Sequence, residues 1–159
     1  MERKTSLATL LVIAAALSLW LIMYNQSQIL KGEFGIYLTR DNTKVVSDSD
    51  IQYYNVTSHE LTLTSECAER LKTTKGYLEG NFTIIVHGEV ELRGLFVPPF
   101  ISRSYPSSQA VIVYPTFESS YKTMKIQMGY PWNTEPFGQD PLENPRITQY
   151  LEESGKLAR

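Results

Sequence analysis

Hydrophobic positions follow two different patterns along this chain. From Leu7 to Met23 they form an unbroken run, LATLLVIAAALSLWLIM, and no charged residue lies between Lys4 and Lys31. As a helix rising about 1.5 Å per residue, the run approaches the roughly 30 Å of a bilayer's hydrocarbon core. Thr9 and Ser18 fit such a helix, because a hydroxyl can bond a carbonyl one turn back. Trp20 and Tyr24 fall toward the far end, where aromatic rings favour the headgroup level. The pattern predicts a single transmembrane helix acting as an uncleaved signal-anchor. A cleaved signal peptide is the rival. It shares the basic start at Arg3 and Lys4, but the small-residue triplet Ala14-Ala15-Ala16 sits in mid-run. Arg3 and Lys4, close to the run, place the N-terminus in the cytoplasm and the remainder outside it.

After a stalk at 25–33 the pattern becomes short and alternating. Phe34, Ile36 and Leu38 alternate with Gly35, Tyr37 and Thr39, which predicts a half-buried strand. Arg40-Asp41-Asn42-Thr43 has turn chemistry, and Lys44-Val45-Val46 follows as a brief strand. Ser47 to Asp50 is a turn or helical cap. IQYYNV and ELTL then read as strands around Thr57-Ser58-His59. Thr64 caps a predicted helix, SECAERLKTTK, with Cys67, Ala68 and Leu71 on one face. FTIIVHGEVEL predicts a hairpin turning at His87-Gly88, with Val90 and Leu92 returning to the core. Leu95 to Gln109, rich in Pro and Ser, reads as a long irregular loop, and AVIVY as a covered strand. Phe117, Tyr121, Met124 and Met128 have helical spacing, which favours a helix over 117–128. A strand over Met124 to Tyr130 is the alternative. Asn144-Pro145 opens a last, loosely held helix to about Ser154.

Charge and composition narrow the class. With 15 basic and 17 acidic residues, the net charge of −2 argues against a nucleic-acid partner, which needs a concentrated basic face. One cysteine, Cys67, excludes an internal disulfide. Asn25, Asn55 and Asn81 each begin an N-x-S/T sequon, relevant only in a glycosylating compartment.

Candidate chemistry is sparse. Cys67 with His59 or His87 is the one nucleophile pairing, yet Cys67 falls on the apolar face of its helix. His87, Glu89 and Glu91 alternate along the hairpin and are a conceivable metal set, although a turn at Gly88 divides them. H-E-x-x-H, G-x-S-x-G, CxxC and phosphate-loop patterns are absent. No catalytic, cofactor or metal residues are therefore assigned. The Leu95–Gln109 segment is the best candidate contact surface, with Phe96, Phe100 and Tyr105 as anchors and Arg103 beside them.

The segment LTLTSECAERLKTTKGYLEGNFTIIVHGEV resembles the head subdomain of the first periplasmic domain of SecD-type translocase subunits. The resemblance rests on Leu63-Thr64, the helix through Ala68 and Leu71, Gly80, the strand Ile84 to Val86, and Gly88-Glu89-Val90. FESSYKTMKIQMGYP is similar to a family helix closing on Gly129 and Pro131. The likeness spans roughly 34–131. His87 stands where the family commonly has Asp, and the multi-span, proton-conducting part has no counterpart. The resemblance implies an α+β head able to touch exported polypeptide.

The expected architecture is α+β: a cytoplasmic tip and transmembrane anchor at 1–24, a stalk at 25–33, a small mixed sheet with one or two helices at 34–131, and an irregular tail with a short helix at 132–159. The expected function is binding, by an extracytoplasmic domain anchored in the bilayer through Leu7–Met23, with a protein partner. The alternatives are a membrane-tethered hydrolase using Cys67 or a His87–Glu89 metal, and a structural envelope protein.

Overall fold

Alternation of period two governs nearly everything after residue 33. The computed structural model describes residues 17, 18, 20, 34–75, 78–116, 121–131 and 143–158. The chain divides into two units, Met1–Gly32 and Glu33–Arg159. In the first, Leu17, Ser18 and Trp20 are helical, and the rest of the predicted anchor lies outside the described residues. Among the described residues no helix is long and apolar enough to cross a membrane.

Among its described residues the second unit contains nine strands: β1 Gly35–Leu38, β2 Thr43–Ser47, β3 Ile51–Asn55, β4 Glu60–Leu63, β5 Gly80–Val86, β6 Glu89–Val97, β7 Tyr105–Val113, β8 Thr123–Tyr130 and β9 Leu157–Ala158. It also contains helices α1, Ser65–Lys75, and α2, Pro145–Glu153. All nine strands join one sheet in the order β2-β1-β5-β6-β7-β8-β4-β3-β9. Two neighbouring pairs, β6–β7 and β3–β9, are parallel, and the others are antiparallel.

This corrects the expected fold. Among the described residues strands dominate, and they form one large nine-stranded sheet where a small mixed sheet with one or two helices was expected. Two misread segments account for much of the difference. Leu95–Gln109 is not one long loop, because Leu95–Val97 ends β6 and Tyr105–Gln109 begins β7. Of the favoured second helix, 117–128, residues 123–128 belong to the strand β8 and 117–120 lie outside the described residues; the strand stands where the resemblance implied a helix closing on Gly129.

The core face follows from register. Val46, Ile36, Ile84 and Leu92 lie opposite one another across β2, β1, β5 and β6. Phe96, Ile112 and Ile126 continue across β6, β7 and β8, and Met124, Leu61, Tyr54 and Leu157 across β8, β4, β3 and β9. These side chains belong to or pack on one cluster that also takes Cys67 and Leu71 from α1 and Ile147 and Leu151 from α2. Full burial of each aliphatic side chain contributes about 1.5–3 kcal/mol. The C-terminal helix is thus held by the core, not loosely attached. Asn144 caps it through bonds from the backbone N–H groups of Arg146 and Ile147, at 2.9 and 3.2 Å. On the opposite face Val97, Val111 and Val113 form a second cluster, joined by Leu95, Ile101, Tyr105 and Tyr130.

The β5–β6 hairpin turns at His87-Gly88, both at positive φ (50° and 82°), as a two-residue type I′ turn demands. A bulge follows. Ile84 lies opposite Leu92 and Ile85 opposite Val90, which leaves Glu91 without a counterpart. The extra residue reverses the alternation, so Val90 faces solvent at 45% exposure instead of returning to the core.

Candidate functional site

The parallel seam between β6 and β7 is short. It pairs Leu95–Val97 with Val111–Val113 and goes no further. Upstream, β6 keeps β5 on one side and, among the described residues, has no strand paired on the other. A cleft of about 460 Å³ opens there, lined by Leu92, Arg93 and Gly94 of β6 and by Ser108, Gln109 and Ala110 of β7. Phe82 and Met128 close its apolar side, and Thr39 and Asn81 lie at its polar end. This volume lies in the range of about 300–1,000 Å³ typical of ligand sites.

Gly94 forms the apex. A Cβ there would come 2.3 Å from the Ala110 carbonyl oxygen and 2.6 Å from the Phe82 ring, so only glycine lets the two backbones approach this closely. Among the described residues lining the cleft, Arg93 is the one with a charge. It is exposed, and no described residue forms an ion pair with it. The nearest acid along the strand, Glu91, is turned to α2 by the bulge. There it meets Arg146 at 3.1 Å and Asn144 Nδ2 at 3.1 Å, and Glu89 also pairs with Arg146.

The outer edges of the sheet are less open. At β2 the Val45 carbonyl accepts a bond of 3.1 Å from Arg70 Nη2. The same guanidinium grips both Asp50 carboxylate oxygens at 3.1 and 2.9 Å. Burial raises the Asp50 pKa, but the bonds from Arg70 and Ser47 outweigh it and hold the carboxyl below its ordinary value. At the other edge β9 has two residues, and a very short edge strand is a poor template for pairing.

Of the residues singled out as contacts, Phe96 is buried at 2% exposure, with its ring 5.4 Å from that of Phe82. It supports the cleft floor and is not a surface anchor. Phe100 is exposed at 66%, Arg103 is exposed, and Tyr105 is half-buried in the Val97 cluster. These residues do not form one patch with Phe96. Asn25 lies outside the described residues. Asn55 is half-buried, and its side chain accepts bonds from the Thr57 and Ser58 backbones at 2.9 and 3.0 Å. Asn81 is exposed at the cleft.

Cys67 is fully buried, and burial, helped by the Asp50 charge, pushes its thiol up to about 11. His59 Nδ1 is bonded to the Tyr54 hydroxyl at 2.8 Å. His87 sits in its turn with the ring edge-on to Tyr150, beside a second hollow of about 310 Å³ whose lining includes Glu89, Arg146 and Tyr150. Among the described residues no group of three His, Cys, Asp or Glu is placed to hold a metal ion.

Sequence reading missed Leu92, Arg93 and Gly94 as site residues, while Ser108 and Gln109 fall at the end of the Leu95–Gln109 segment it proposed as a contact surface. One signal was available: an isolated glycine within a strand pattern marks a bulge or a close backbone approach, and Gly94 is such a residue. Comparison of the chain with protein families, with curated proteins and with solved structures finds no match.

Proposed function

We propose that residues 33–159 are a binding domain that takes up an extended polypeptide segment along the open side of β6, in a protein associated with a membrane through the apolar run Leu7–Met23. The observation that carries this reading is the cleft itself. A strand end that lacks a partner on one side among the described residues, with apolar groups on one flank and polar groups on the other, suits main-chain pairing with side-chain selection. The closure of β2 by Arg70 and the shortness of β9 make the interior seam the favoured edge. The chemistry at Cys67 speaks against its use as a nucleophile, since a buried thiol with a pKa of about 11 is protonated at neutral pH.

Fluorescence anisotropy on the full-length chain in micelles tests the reading. The probes are labelled peptides of alternating polar and β-branched residues, and the same peptides with a central proline. Saturable binding weakened by proline is expected, because proline removes an N–H from the pairing. Absence of saturable binding, or indifference to proline, would overturn it.

A further inference from the structure

The two flanks of the cleft differ in a way that selects among extended segments, and this step rests on the strand-addition reading above. Across β5 and β6, Thr83 lies opposite Arg93 and Phe82 opposite Gly94, so Arg93 projects from the face opposite the Phe82 ring. A strand laid beside β6 presents side chains alternately to those two faces. On one face they meet the half-buried Leu92, behind which Phe82 and Met128 are buried. On the other they meet Arg93, the one charged lining residue, which no described residue neutralises. Cross-strand neighbours of opposite charge stabilise a pair, and like charges destabilise it. We infer that the cleft selects an acidic extended segment in which apolar residues alternate with carboxylates, an apolar side chain facing Leu92 and a carboxylate facing Arg93.

Glu91 does not spoil this selection, although it is two residues away on the same strand. The bulge hands it to Arg146 and Asn144. Gln109, Ser108, Thr39 and Asn81 supply neutral donors and acceptors around the same mouth. They accommodate a carboxylate without competing for it.

The test uses the full-length chain in micelles and three peptides with the same alternating apolar residues. Their polar positions carry Glu, Gln or Lys. Glu is expected to bind about two- to fivefold more tightly than Gln, as suits an exposed ion pair. Lys is expected to bind more weakly than Gln. The Glu advantage should shrink as salt is raised. Arg93→Gln should abolish the Glu–Gln difference, and Arg93→Lys should keep part of it, with urea midpoints of both variants near the parent. Equal binding of Glu and Gln peptides, or a Glu preference surviving in Arg93→Gln, overturns the inference while strand addition stands. Failure of all three peptides to bind overturns strand addition itself.

Discussion

Gly94→Ala is the substitution that most sharply probes how the cleft is built. The new methyl would lie 2.3 Å from the Ala110 carbonyl oxygen and 2.6 Å from two atoms of the Phe82 ring. An ordinary C···O contact is about 3.3–3.6 Å, so the shortfall is about 1 Å. Neither neighbour can yield easily. The oxygen belongs to backbone between strands, and Ala110 is paired with Met128 of β8. The Phe82 ring is fully buried against Phe96. Overpacking of this kind costs about 1–3 kcal/mol. Reduced freedom of the unfolded chain offsets about 0.4–1 kcal/mol of that. The steric term prevails, and a net loss of about 1–2 kcal/mol is expected. With a urea m-value of about 1–3 kcal/mol/M, the midpoint falls by about 1 M at unchanged slope. The assay is urea unfolding of the full-length chain followed by tryptophan fluorescence and circular dichroism. An unchanged or raised midpoint would refute the close approach of β6 and β7 at Gly94.

Leu151→Ala should destabilise the second unit by about 2–5 kcal/mol, because Leu151 is fully buried in the main core; thermal melting checks this. Cys67 should resist alkylation by iodoacetamide at neutral pH in the folded protein and react once urea unfolds it, as its burial and a thiol pKa of about 11 require; mass spectrometry reads the adduct. Asp50 has a folded-state pKa below its ordinary 3.8, so its contribution is present above that value and is lost as pH falls through the folded pKa. Asp50→Asn should therefore be less stable than the parent near neutrality, with the gap narrowing in acid; urea titrations across pH measure it.

Much of the first half of the domain was legible because its signals are local. Alternation at Phe34–Thr39, the Asp-Asn turn before β2, the Thr64 cap and His87-Gly88 act within a few residues, and each element formed where expected. The errors occur where distant partners decide. Met124, Ile126 and Met128 alternate, while Phe117, Tyr121, Met124 and Met128 match a helix, and pairing with β4 and β7 selects the strand. Prolines made 95–109 look irregular throughout. Pro98 and Pro99 do lie beyond the end of β6, but Pro106 is accommodated inside β7 by an irregularity between Tyr105 and Ala110. The bulge at Glu91 reversed the faces of Val90 and Glu89 and brought both acids to Arg146, a residue far away in sequence. The cleft had no linear signature beyond Gly94, since it arises from a parallel seam that ends after three residue pairs.

The central claim is that β6 is open toward β7 ahead of Leu95 and closes on an extended peptide. Amide hydrogen exchange on the full-length chain, with and without the alternating Glu peptide, measures this at Leu92 and Arg93. Amides that β5 does not hold should exchange rapidly in the free protein and become protected when the peptide is added. Strong protection without peptide, or rapid exchange that saturating peptide leaves unchanged, would contradict the account.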